Sequence, residues 1–186
     1  MGDKIQAEFI ENFLVVWDTA QGSRLYRQGY YGKPVGIPKP KIMEFTVPLI
    51  LDLMEGLYLT EKEILAVREG IKKKTKVNPK KLRQRARKLY EEFDLKYAVY
   101  GDLRDHGLIV TPGIKFGCDF AVYKRGPGIE HAPYMVSVKK ATDEVTATEL
   151  VKAGRLATTV RKRFIVAVPD PETEKIRYLI FKWFKA

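Results

Sequence analysis

A helical stripe that starts at Asn78-Pro79 and ends at Gly107 divides the chain into two halves of different rhythm. Asn is a favoured N-cap, and proline at the first helical position sacrifices no hydrogen bond. Leu82, Ala86, Leu89, Tyr90 and Phe93 follow at helical spacing as the inward stripe. Near Asp94 the register breaks, and Leu95, Val99 and Leu103 restart a stripe that stops at Gly107. We place a domain boundary at that break, within residues 92–95. The expectation is an α+β chain: a small N-terminal mixed α/β domain over 1–93 and a C-terminal α/β domain over 94–186 with a central mixed sheet. A length of 186 residues is enough for two small cores.

In the first half, residues 4–10 and 12–18 read as short strands. Asp18 to Ser23, with Gly22, reads as a turn, and 24–28 as a third strand. Residues 29–41 hold three Gly and three Pro, which break both helix and strand, so a long functional loop is expected there. Leu49, Leu53 and Leu57 predict a helix over 48–58. Thr60 and Glu63 form a T-x-x-E signature that predicts a second helix reaching Gly70.

In the second half, residues 115–123 alternate with period 2. Phe116, Cys118, Phe120 and Val122 share one face; Lys115, Gly117, Asp119, Ala121 and Tyr123 share the other, polar face. A Gly126-Pro127-Gly128 loop precedes a strand at 134–140. Thr146 and Glu149 open a helix with Leu150, Ala153, Ala157 and Val160 inward. Strands at 164–168 and 176–184 flank an acidic turn carrying Asp170, Glu172 and Glu174.

The charge narrows the partner. Lys+Arg 34 against Asp+Glu 23 leaves +11, and both halves share the excess. Such a chain suits a polyanion, nucleic acid being the commonest. Ten cations crowd into residues 72–88, read either as a solvated helix face or as a phosphate-attracting surface. The hydrophobic 45% excludes wholesale disorder, and no apolar run of membrane-spanning length occurs. With no secretory leader and a single cysteine, Cys118, a cytoplasmic location is expected. One Cys and two His, His106 and His131, do not make a standard zinc site, so no metal or other cofactor is expected.

Tyr123 ends a strand before the Gly/Pro loop, His131 lies in that loop, and Lys162 follows the helix that begins after Thr146. Each alone has a structural reading: one of ten tyrosines, a surface histidine, a cation at a helix C-terminus. Together they are the types that metal-free RNA cleavage needs. A base takes the ribose 2′-hydroxyl proton, an acid protonates the leaving 5′-oxygen, and a cation stabilises the crowded anionic phosphorane. Histidine, ordinarily near 6.5, suits the acid; tyrosine, ordinarily about 10, needs nearby cations to serve as base.

Four separated motifs carry a resemblance. They are Tyr97 to Gly107, Lys115 to Tyr123, His131-Ala-Pro-Tyr134, and Arg155 to Lys162. In this order they resemble the archaeal tRNA-splicing endonucleases over most of 94–186; residues 1–93 resemble that family's N-terminal domain more loosely. The resemblance implies a nuclease-like C-terminal domain and a catalytic triad at Tyr123, His131 and Lys162. It implies that Arg155 and Arg177 sandwich a bulged base in a neighbouring unit's site. It implies a four-unit assembly in which an acidic loop, here Asp170, Glu172 and Glu174, plugs a basic cleft. His131 is followed by Ala132-Pro133 where the family often has a serine, a departure that leaves the acid in place.

The reading is a catalytic subunit that cuts precursor tRNA at bulge–helix–bulge junctions and leaves 2′,3′-cyclic phosphate and 5′-hydroxyl ends. Some relatives built from two kinds of chain carry an extra basic loop. Lys33, Lys39 and Lys41 make residues 29–41 a candidate for it and favour two catalytic plus two structural chains over a homotetramer. The alternatives are a non-catalytic RNA-binding or structural subunit of the same assembly, and a basic DNA-binding or metal-dependent nuclease domain; the intact triad argues against the first and the missing carboxylate cluster against the second.

Overall fold

The computed structural model describes residues 3–38, 40, 42–70, 74–159 and 162–181. They fall into two compact units, Met1–Phe93 and Asp94–Ala186.

The first unit is built on a six-stranded sheet. β1 (Ile5–Ile10) buries Ile5, Ala7 and Phe9 on one face, as period 2 requires. It turns back at Glu11, a left-handed residue, into β2 (Phe13–Val16). The expected turn and third strand over 18–28 are instead one helix, α1 (Thr19–Gly29). Asp18 caps it, its carboxylate accepting from the Ala20 and Gln21 N–H groups at 3.0 Å. Gly22 is no turn signal: a Cβ there would stand 3.1 Å from that of Leu49, so the glycine allows close packing.

Residues 30–34 of the Gly/Pro stretch are more ordered than their composition suggests. Tyr30 and Tyr31 are buried, and β3 (Lys33–Pro34) pairs with β4 (Leu49–Leu51). Gly32 takes φ +75° against the Ile50 carbonyl, where a Cβ would clash at 2.7 Å. The helix expected over 48–58 is thus a strand followed by α2 (Leu53–Glu61), with Asp52 and Glu55 forming a capping box. Leu49 and Leu51 are both fully buried, in a strand that reproduced helical spacing with Leu53 and Leu57 by coincidence. Thr60 does not open a helix. Its hydroxyl donates to the Gly56 carbonyl near the end of α2, and Glu63 is left-handed. Residues beyond it form β5 (Leu65–Glu69), parallel to β1. That pairing partner lies some sixty residues earlier in the chain, so no local signal announces it.

β6 (Thr75–Val77) completes the sheet, in the order β3-β4-β2-β1-β5-β6. α3 (Pro79–Leu89) begins where Asn78 accepts from the Lys81 N–H at 2.9 Å, and buries Leu82 and Ala86. Leu89, expected inward, is exposed, because the helix ends there and Tyr90 turns extended.

The second unit opens with α4 (Phe93–Asp105), which ends at Gly107 with φ +75°. The buried Arg104 guanidinium in its last turn donates to the Val110 carbonyl and to the Tyr100 hydroxyl. A strand absent from the sequence reading follows, β7 (Ile109–Pro112). Residues 115–123 are not one strand. Ile114–Phe116 is a 3-10 turn, and only β8 (Phe120–Tyr123) pairs. β9 (Tyr134–Val138), α5 (Ala147–Thr159), β10 (Arg163–Pro169) and β11 (Ile176–Phe181) complete a sheet ordered β11-β10-β9-β8-β7. β9 and β10 are parallel and α5 is their crossover; the other pairs are antiparallel, so the sheet is mixed. Thr146 and Glu149 do form the expected capping box. Leu150, expected inward, is exposed, while Val160 lies outside the described residues.

Candidate active site

β8 is buried on both faces. Phe120 packs toward α4, its ring 6.1 Å from that of Tyr100. Ala121 joins Ala132, Met135, Phe164 and Val166 in a second core, with Phe116, Cys118 and Tyr123 against its edge. The expected polar face of Tyr123 is therefore an apolar one. The 3-10 turn at 114–116 breaks the alternation and brings Phe116 and Cys118 to the same core as Ala121 and Tyr123. Asp119 is structural: its carboxylate accepts from the Val138 N–H at 2.8 Å and stands 3.0 Å from the Lys96 ammonium.

Lys162 is the informative side chain. It is only 9% exposed, an unusual state for lysine. Its Nζ donates to the Ala132 carbonyl at 2.9 Å and lies 4.7 Å from the centre of the Phe116 ring. Burial lowers its pKa from the usual lysine value, against a smaller opposing pull from Cys118. One N–H is committed to Ala132, and an ammonium has three. Next to it, the Arg163 N–H donates to the Pro133 carbonyl at 2.9 Å. The β10 start thus grips the chain immediately after His131, whose own side chain is exposed.

The structure brings Lys162 to the loop of His131, and Tyr123 to the core that Ala132 and Phe116 share. It does not gather the other expected residues there. Arg177 is exposed on β11, three strands from Tyr123 in the sheet order, about 14 Å at ordinary strand spacing. Arg155 is exposed on α5. Asp170 holds its own turn, accepting from the Glu172 N–H at 3.0 Å, which leaves Glu172 and Glu174 as its exposed carboxylates. Hydrogen bonds from Thr173 and Glu172 hold the Asp170 carboxyl below its ordinary pKa. Lys33 is exposed but fixed in β3; Lys39 and Lys41 lie outside the described residues.

The cations of 72–88 are partly spoken for: Lys81 pairs with Glu69, Arg83 with Glu61 at 3.0 Å, and Lys74 with Glu8 at 3.5 Å. Among the described residues no group of three His, Cys, Asp or Glu is placed to hold a metal ion, and no helix is long and apolar enough to cross a membrane. Two contributors escaped the sequence reading: the Ala132 carbonyl, which carries no residue-type signal, and Glu130, a carboxylate beside a Gly/Pro loop whose backbone N–H groups need acceptors.

Comparison with known proteins decides the family. The tRNA intron endonuclease catalytic C-terminal domain matches residues 93–178, and the N-terminal domain of the same enzymes matches residues 5–82. The chain is 49% identical over 173 residues to the tRNA-splicing endonuclease of Hyperthermus butylicus, covering 92% of this chain and 93% of that one. The chain belongs to the tRNA-splicing endonuclease family. This endonuclease is also 41% identical over 182 residues to the tRNA-splicing endonuclease of Saccharolobus solfataricus, covering 97% of this chain and 99% of the other. The namesake from Saccharolobus islandicus strain Y.N.15.51 is 39% identical over the same length and coverage. It is an enzyme of tRNA intron cleavage, and the candidate site lies within its catalytic domain.

Proposed function

We propose that this endonuclease cuts precursor tRNA at bulge–helix–bulge junctions by 2′-oxygen attack, with Tyr123 as base, His131 as acid and Lys162 as cationic stabiliser. The observation that carries the reading is the Lys162 to Ala132 hydrogen bond, which ties a buried cation to the residue next to an exposed histidine. Tyr123 shares the core of Ala132 and Phe116. In the reaction the 2′-hydroxyl proton passes to the Tyr123 phenolate oxygen as the 2′-oxygen bonds to phosphorus. The bond from phosphorus to the 5′-oxygen breaks as His131 gives that oxygen a proton. The products are a 2′,3′-cyclic phosphate and a 5′-hydroxyl. Lys162, already desolvated, stabilises charge on the phosphorane more than a hydrated lysine could.

Arg155 and Arg177 are exposed and lie on α5 and β11, which suits a role in a neighbouring unit's site. Guanidinium planes there would stack on a bulged base. Glu172 and Glu174, held out by the Asp170 turn, would enter a basic cleft of a neighbour, in an assembly of two catalytic and two structural chains. Lys33, with Lys39 and Lys41, would add phosphate contacts.

The decisive experiment is single-turnover cleavage of a bulge–helix–bulge RNA by wild type and His131→Ala, in EDTA and in magnesium. Loss of about 10²–10⁴-fold in rate with RNA affinity kept is expected for a missing general acid. Equal wild-type rates in the two buffers, and phosphatase-resistant 3′ ends that acid makes sensitive, are the companion results. A wild-type rate for His131→Ala removes it from the chemistry.

A further inference from the structure

The loop joining Tyr123 to His131 is closed by one carboxylate. Glu130 Oε1 accepts from the backbone N–H of Lys124 at 2.6 Å and of Arg125 at 2.5 Å. The Glu130 and Ile129 N–H groups both donate to the Gly126 carbonyl, at 3.2 and 3.3 Å. The Arg125 side chain stands 3.9 Å from the second carboxylate oxygen. The Glu130 side chain is only 15% exposed. The Arg125 N–H, opposed by burial and helped by the N–H groups of Lys124 and Gly126, holds its carboxyl below the ordinary pKa.

Such a brace has work to do here. Gly126 and Gly128 sit at φ +126° and +90°, where glycine's conformational freedom leaves the backbone to be held by its contacts. Beyond His131, the Ala132 and Pro133 carbonyls are held by Lys162 and by the Arg163 N–H. The exposed His131 is therefore bracketed, by Glu130 before it and by Ala132 after it. The first bracket ties it to the residues that follow Tyr123.

We propose that Glu130 is a positioning residue for RNA cleavage: by tying the chain just after Tyr123 to the chain just before His131, it sets the spacing of base and acid. The inference rests on the assignment of Tyr123 and His131 given above. Two hydrogen bonds to one oxygen demand an acceptor at full glutamate reach. Glutamine retains both acceptor and reach, aspartate keeps the charge but is one methylene short, and alanine keeps neither. Displacing a reacting group by about 1 Å can cost 10²-fold in rate.

The test is single-turnover cleavage by Glu130→Ala, Glu130→Asp and Glu130→Gln, each alone and with His131→Ala, using the assembled enzyme. Affinity is measured with RNA carrying a 2′-deoxy residue at the cleavage site, and folding by thermal melting. The expected result is a rate about 10–100-fold below wild type for Ala and Asp, unchanged affinity, and recovery of most of the rate by Gln. In the His131→Ala background, Glu130→Ala should add no further loss. If Glu130→Ala does not fold, the Gln and Asp variants decide, and equal rates overturn the proposal. It is also overturned if Ala or Asp cleaves at the wild-type rate while His131→Ala is inactive, an outcome that leaves the triad standing. A double variant slower than His131→Ala alone overturns action through that histidine. A wild-type rate for His131→Ala overturns the triad first, and this inference with it.

Discussion

Replacing Lys162 by methionine separates what that lysine does for the fold from what it does for the reaction. Methionine keeps an unbranched stem of similar volume over the Phe116 ring, so little packing is lost. The Ala132 carbonyl loses its 2.9 Å donor, a cost of about 1–3 kcal/mol if nothing replaces it. Against that stands the relief of a buried cation, whose lowered pKa records that its charge is disfavoured where it sits. The two effects oppose each other, so the net loss of stability should be about 1 kcal/mol or less. The reaction has no such compensation. Removing one preorganised stabilising group from a transition state costs about 2.7–4 kcal/mol, or 10²–10³-fold in rate. The kinetic effect should therefore exceed the effect on folding. Single-turnover cleavage at saturating enzyme, alongside thermal melts of both proteins, measures the two quantities. A variant that cleaves within threefold of wild type, or whose slowing tracks its unfolded fraction, would refute this account of Lys162.

Three further outcomes are expected. Arg155→Lys combined with Arg177→Lys should cleave bulged RNA more slowly than wild type, by about 1–3 kcal/mol per lost stacking contact, since an ammonium has no planar face; full activity would show that charge alone matters. Glu172→Lys with Glu174→Lys, leaving Asp170 to hold its turn, should lower the mass seen by light scattering if these carboxylates enter a neighbour's cleft, and an unchanged mass rules that out. Glu149 is held at a pKa of about 2, first by Lys139 at 2.6 Å and then by the Thr146 N–H. Because its folded-state pKa is depressed, its contribution is present above the ordinary glutamate range and is lost as pH falls toward 2. The first turn of α5 should loosen there, at a cost held to about 1 kcal/mol or less by solvent screening. NMR shifts of the α5 amides through an acid titration would follow it, and a shift of that region near pH 4.5 instead would contradict the Lys139 contact.

Some of this protein is written in short segments. Asn78-Pro79 starts α3 and Thr146 with Glu149 starts α5, because a cap needs only partners three residues away. The motifs from Tyr97 to Lys162 are enough to point to the family, since they name residue types in order. Where two elements must meet, the local text misleads. Thr60 and Glu63 spell a cap, yet β5 follows, because β1 offers Leu65 and Val67 a parallel partner and a buried face. Leu49 keeps helical spacing with Leu53 but lies in a strand opposite Val16. Leu150 has the chemistry of a core residue and is exposed, because α5 presents it away from the unit's own sheet. The site follows the same division. Tyrosine, histidine and lysine are legible as types suited to RNA chemistry. That Lys162 is buried, that it bonds the Ala132 carbonyl, and that Glu130 closes the loop on Lys124 and Arg125 are facts of the tertiary structure. Backbone carbonyls and N–H groups are the same in every sequence, so only the folded chain decides which of them a side chain finds.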